Sequence, residues 1–220
     1  MKYCCLFILG ICLHVACAAQ DSLQTPLQRF GGGGYFKIGY GAITTEGIPA
    51  VLNSRSTFAP DVLTVGGGGF AYLNRVVIGG NGFGMTGSRH GDTLITHGGG
   101  GFEFGYDLLN GANRQLLATV MLGGRGTTIN ITNRNSAPVF TSGSVMAGIN
   151  LHLLQYVFLT PKASEASGGI HVGLRLCAWT SFGGGTWERD GRKIAGSGNY
   201  QPQGVMLSAT FGGAGFGSRR

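Results

Sequence analysis

The polarity of this chain reverses at every second residue over long stretches, which is the period of a β-strand with one face against an apolar phase. The pattern is sharpest over residues 170–180, where Ile170, Val172, Leu174, Leu176 and Ala178 alternate with His171, Gly173, Arg175, Cys177 and Trp179. A helix, with 3.6 residues per turn, could not sort these two sets onto opposite faces. The same rhythm sets Val145, Ala147, Ile149, Leu151 and Leu153 against Met146, Gly148, Asn150 and His152, and Val205, Leu207, Ala209 and Phe211 against Met206, Ser208, Thr210 and Gly212. Phe102, Phe104 and Tyr106 oppose Gly101, Glu103 and Gly105, while Phe36, Ile38 and Tyr40 oppose Tyr35, Lys37 and Gly39. The alternation predicts eight strands, over 34–42, 63–73, 76–86, 93–107, 115–125, 142–155, 169–182 and 203–214. Most reach the roughly 9 to 11 residues that a tilted membrane strand needs, whereas soluble strands average nearer five or six.

The connections alternate in length. A long stretch from Ile43 to Val62 precedes a two-residue link, Asn74 and Arg75; a medium loop with Thr86 to Asp92 precedes a short link through Asn110, Gly111 and Ala112. Long polar stretches follow at Thr127–Thr141 and Gly183–Pro202. Long and short in turn are expected of an up-and-down barrel with one external and one periplasmic rim. Only Tyr156–Gly168 is longer than a periplasmic turn should be. The prediction is therefore an all-β chain forming a single antiparallel up-and-down barrel over residues 31–216, with a 20–30 extension before it and a 217–220 tail after it.

Residues 1–19 change the picture by adding export. Lys2, the apolar run from Leu6 to Val15 and the small residues Ala16, Cys17, Ala18 and Ala19 have the layout of a cleaved secretory signal peptide. Lipidation of Cys17 is the other outcome this leader allows. Four of the five cysteines lie in it, so the mature chain keeps Cys177 alone, which excludes an internal disulfide and a CxxC metal site.

Composition fits an apolar surround. Only 11% of residues are charged, against about 25% in ordinary soluble domains. The net charge of +7 is spread thinly rather than gathered on one face, which argues against nucleic acid as a partner. The 43 glycines include three copies of four glycines and an aromatic, at Gly31–Tyr35, Gly66–Phe70 and Gly98–Phe102. Such runs destroy helices, and in strands they mark bulges, tight bends or a close approach of backbone.

If the aliphatic set meets lipid, the opposite set is enclosed: Lys37, Asn81, His97, Glu103, Asn150, His152, His171 and Arg175. Arg175 orients the barrel, because an Arg on the lipid face at midplane costs about 2–4 kcal/mol, while inside it can pair with Glu103. A small eight-stranded barrel is filled by its own side chains, so this set reads as a polar plug. A proton or ion path through His152, His171 and Glu103 is the sharper alternative. No metal or cofactor is expected. Outside the lipid, Arg55, Arg89, Arg134, Trp187, Arg189, Arg192, Lys193 and Tyr200 are the expected external-loop contacts.

With its leader, the alternating strands such as Ile170–Thr180, its loop pattern and its charged interior, the chain resembles the small eight-stranded bacterial outer-membrane barrels of the OmpA, OmpX and OmpW types over residues 31–214. The resemblance is architectural. It implies residence in the outer membrane among its lipids, insertion by the barrel assembly machinery, and a non-enzymatic role in structure, adhesion or binding of an extracellular ligand. Such barrels end on a strand with a terminal aromatic, whereas here residues run past Phe211 to Arg220, so either the last strand extends to Phe216 or the assembly signal is atypical. Two other readings stand beside it: a barrel-embedded enzyme acting on lipid, with a trio such as Ser88, His90 and Asp92, and a secreted soluble β-barrel holding an apolar ligand. The soluble reading inverts the faces and puts Arg175, Lys37 and Glu103 in water.

Overall fold

The computed structural model describes residues 29–44, 61–90, 93–109, 111, 113–131, 138–158, 166–183, 185–194 and 200–218. The proposed leader, with Cys17, and the loop residues Arg55 and Arg134 lie outside these residues. The strands are β1 (Arg29–Ile43), β2 (Asp61–Leu73), β3 (Val76–His90), β4 (Thr93–Asp107), β5 (Arg114–Ile131), β6 (Val139–Phe158), β7 (Ala166–Phe182), a small pair β8 (Glu188–Arg189) and β9 (Arg192–Lys193), and β10 (Gln203–Ser218). Neighbours pair antiparallel in the order β5-β4-β3-β2-β1-β10-β7-β6, and a β5–β6 pairing closes the ring. The eight predicted strands are thus the eight staves of a closed barrel. Closure leaves these strands without a free edge, and that lets every backbone amide be satisfied in an apolar surround.

Each stave is longer than the alternation alone indicated. β6 runs for 20 residues and β5 for 18, so both ends of the Thr127–Thr141 stretch are strand rather than loop. Thr127, Thr128, Asn130 and Thr141 interrupt the hydrophobic pattern there without ending the hydrogen-bonded ladder. β1 runs straight through Gly31–Gly34, paired on both edges. β10 continues past Phe216 to Ser218, which places the former tail boundary inside the last strand. The β3–β4 hairpin extends to His90 and Thr93 across a register shift between Thr86 and Arg89.

One rim carries the connections after β1, β3, β5 and β7; the other carries the β2–β3, β4–β5 and β6–β7 connections and both strand termini. At the turn rim, Asn74 adopts φ 58, which Asn tolerates better than most residues. Asp107 organises the β4–β5 turn by accepting from the Leu109 and Leu116 amides at 3.2 and 3.3 Å. At the loop rim, β8 and β9 form a hairpin through Asp190 (φ 50) and Gly191 (φ 78). Both central residues have positive φ, as a two-residue Asp-Gly turn requires. β8 then adds to β6 above the end of β7, with Arg189 opposite Phe140.

The two faces separate as the alternation requires. Phe36, Ile38, Tyr40, Phe102, Phe104, Ile149, Leu151, Val172, Leu174, Leu176, Val205, Leu207 and Phe211 are exposed on the outside, Phe102 at 83% and Ile149 at 65%. Arg175 and Lys37 are 3% and 2% exposed. The inverted arrangement, with Arg175, Lys37 and Glu103 in water, is therefore overturned.

Candidate functional site: the barrel interior and its cap

Inward side chains come from alternate positions of every stave, so the lumen fills in layers. Nearest the turn rim, Tyr35, Phe70, Tyr72, Val77, Leu117, Leu154, Tyr156 and Phe216 form an apolar and aromatic layer. Tyr72 donates its hydroxyl to Gln115 Oε1 at 2.6 Å there. His171 sits in this layer, its ring 5.9 Å from Phe70 and 5.3 Å from Tyr156, and neither ring nitrogen has a partner among the described residues.

Above it lies a polar layer. Arg175 Nη2 pairs with Glu103 Oε1, and Arg175 Nη1 donates to Tyr35 Oη at 2.7 Å. Thr119 Oγ1 donates to the other carboxylate oxygen at 3.4 Å and accepts from Asn150 Nδ2 at 3.2 Å. Lys37 Nζ donates to Asn81 Oδ1 and lies 5.4 Å from the centre of the Phe83 ring. His152 Nε2 is 2.9 Å from Thr210 Oγ1, and its ring meets Tyr35 edge-on at 5.1 Å. A desolvated cation is tolerable only with a partner, and Arg175 finds one in Glu103, 72 positions away in sequence.

A third layer of Phe83, Met85, Met121, Met146, Cys177, Trp179 and Met206 covers this network. Cys177 is a buried free thiol. Nearest the loop rim, Ile95, Ile129, Phe140, Trp187 and Tyr200 close the lumen. Trp187 and Tyr200 stack at 5.3 Å. The Tyr200 hydroxyl donates to the Thr44 carbonyl at 3.3 Å, and Gly185 bridges to Tyr200. Burial pushes the Tyr200 phenol up to about 12, over the opposing pull of the Arg125 guanidinium.

The predicted interior residues Lys37, Asn81, His97, Glu103, Asn150, His152, His171 and Arg175 are all buried. They do not form one network. Lys37–Asn81 and Arg175–Glu103–Thr119–Asn150 are two clusters, His171 stands among rings, and His97 lies towards the loop rim with its Nδ1 2.9 Å from Thr127 Oγ1. Among the expected loop contacts, Arg189, Arg192 and Lys193 are exposed at the loop rim. Trp187 and Tyr200 are corrected: at 0% and 2% exposure they are internal. Their large apolar rings are better covered than wetted, and the hairpin folds them inward over the lumen. Arg89 lies in β3, and Asp92 of the suggested hydrolytic trio is outside the described residues.

Sequence reasoning missed Arg125, which is 7% exposed and points inward. The signal was present, since Arg125 is in phase with Leu117, Thr119, Met121 and Ile129, but the expected strand stopped there. It also missed Tyr35 and Thr119 as members of the Arg175 cluster.

No family model matches the chain, and no curated protein matches it in sequence. Among solved structures, the crystal structure of Neisserial surface protein A aligns with 82% of this chain and 95% of its own, at 10% identity and a TM-score of 0.53. The outer membrane protease OmpT from Escherichia coli aligns with 89% of this chain and 98% of its own, at 10% identity and a TM-score of 0.31. Closed by eight antiparallel staves, with an aliphatic and aromatic outside and Lys37, Arg175 and Glu103 enclosed, the chain has the fold of a small outer-membrane β-barrel.

Proposed function

We propose that this chain is a non-enzymatic protein of a bacterial outer membrane, a side-chain-filled barrel that holds external loops above the lipid for structural, adhesive or binding roles. The observation that carries the reading is the pairing of an exposed aliphatic and aromatic belt with an interior that encloses Lys37, Arg175 and Glu103. A soluble protein rarely exposes so extensive an apolar surface. Lipids of that membrane are the partners of the belt. Strand β10, with Phe211 outward and Phe216 near its end, is the segment offered to the barrel assembly machinery. Arg189, Arg192 and Lys193 are available to an extracellular ligand at the loop rim.

Fractionation with heat-modifiable gel migration tests this. The chain is expected in detergent-extracted envelope and to migrate faster unboiled than boiled. Recovery as a soluble periplasmic or secreted protein would overturn the membrane reading. Lipid hydrolysis by the purified barrel that disappears on replacing His90 or His152 would overturn the non-enzymatic one.

A further inference from the structure

Sulfur is gathered in one layer of this barrel. Met1 apart, the methionines of the chain are Met85, Met121, Met146 and Met206. All four face inward at 0–3% exposure, and all lie with Cys177 in the layer between the polar network and the loop-rim cap. Met206, Cys177, Met146 and Met121 come from the consecutive staves β10, β7, β6 and β5. Met206 and Cys177 are register partners, which sets their Cβ atoms about 5 Å apart. Met121 stands opposite Gly148, so Met146, two positions along β6, is its diagonal neighbour, within reach of long side chains. Gly148 is in turn opposite Trp179, two positions from Cys177. Inward glycines leave room for these side chains: a Cβ at Gly148 would stand 3.3 Å from Met121 Cε, and one at Gly41 2.8 Å from Met206 Cγ. Asn81, two staves from β5, donates from Nδ2 to Met121 Sδ at 3.6 Å, so this sulfur reaches away from its own wall into the lumen.

We infer that this layer binds one soft monovalent cation of the copper(I) or silver(I) class, held by the Cys177 thiolate together with thioethers, Met121 and Met206 foremost. Thiolate and thioether sulfur select such ions. A borderline dication such as zinc takes nitrogen, oxygen and thiolate donors, and among the described residues no three of His, Cys, Asp and Glu assemble. Charge selects in the same direction. Lys37 and Arg175 are enclosed in the layer beneath, and a dication would add to their field. A monovalent ion that replaces the thiol proton leaves the charge of the layer unchanged, which an apolar setting tolerates; the proton leaves to solvent. Methionine also fills cores well, and the two roles separate on substitution, because Leu keeps the volume and loses the donor. The sequence hides the site, since these sulfurs share no spacing and only closure of the ring gathers them. The inference needs only the folded barrel and is independent of the outer-membrane and non-enzymatic readings.

The full chain with Cys4, Cys5, Cys12 and Cys17 replaced by Ser, refolded into uncharged detergent with silver(I) nitrate present, tests it. Refolding removes the cap as a barrier to entry, and heat-modifiable gel migration confirms the fold separately. Elemental analysis after gel filtration is expected to find one silver per folded barrel, and no zinc when zinc(II) replaces silver. Titration followed with a silver-ion electrode gives a midpoint, expected to fall about tenfold per pH unit because one proton leaves for each ion bound. Met121→Leu combined with Met206→Leu is expected to raise that midpoint about tenfold or more at unchanged gel migration, and each single Leu variant decides the matter if the pair does not fold. Cys177→Ala is expected to abolish the pH dependence. A folded wild-type barrel that retains no silver, or folded Leu variants with the wild-type midpoint, would mean that the methionines are packing alone and would overturn the inference.

Discussion

Replacing Glu103 by Gln isolates the charge pair at the centre of the barrel, because it removes one negative charge and keeps the side-chain shape. The side chains of Arg175 and Glu103 are 3% and 8% exposed, so bulk water screens the pair little. With the carboxylate gone, Arg175 keeps the neutral Tyr35 hydroxyl, and Lys37 is a second cation in the same layer. Breaking a buried pair by removing one partner costs about 3–5 kcal/mol, or more than two orders of magnitude in the folding equilibrium. Arg175→Met is expected to cost a similar amount by stranding Glu103. The double substitution removes both charges and is expected to cost no more than the larger single one, which gives a coupling energy on the order of 3 kcal/mol for residues in contact. Reversible urea unfolding in micelles, followed by tryptophan emission, measures all four corners of the cycle. A loss below about 1 kcal/mol for Glu103→Gln, the range of exposed ion pairs, would refute the claim that bulk water screens this pair little.

Other outcomes follow from the same geometry. Cys177 lies under the Trp187–Tyr200 cap, so a membrane-impermeant maleimide should leave it unlabelled in the folded barrel and label it faster after Trp187→Ala; equal rates would show that the cap does not seal the lumen. Ile149→Arg and Leu207→Arg place a charge on the lipid face and should each cost about 2–4 kcal/mol near midplane, measured by unfolding in vesicles, while Arg189→Ala at the exposed rim should change stability by less than about 0.5 kcal/mol. Gly212→Ala should destabilise strongly, since its Cβ would stand 2.0 Å from the Gly34 carbonyl oxygen, whereas Gly84→Ala has nothing within 4 Å and should be neutral or stabilising by about 0.4–1 kcal/mol. Equal melting shifts for the two glycines would refute that contrast.

Much of the architecture was legible in the residues themselves. Period-2 alternation is a local property, so Ile170–Thr180 alone reveals which side chains share a face, and the cost of exposing Arg175 to lipid says which face is inside. The unequal connections indicate which rim carries the loops. Partnership is different, because it depends on register between strands far apart in sequence. Nothing near Arg175 names Glu103 or Tyr35 as its neighbours, and Lys37 meets Asn81 only because β2 sets the offset between β1 and β3. The loop-rim cap lay further from reach. Trp187 and Tyr200 stand where no periodic pattern says which way a ring points, and the Asp190–Gly191 turn together with the β8–β6 pairing folds them inward. Local alternation determines a face; only closure of the ring decides which residues of that face touch, and with them the burial of Arg125.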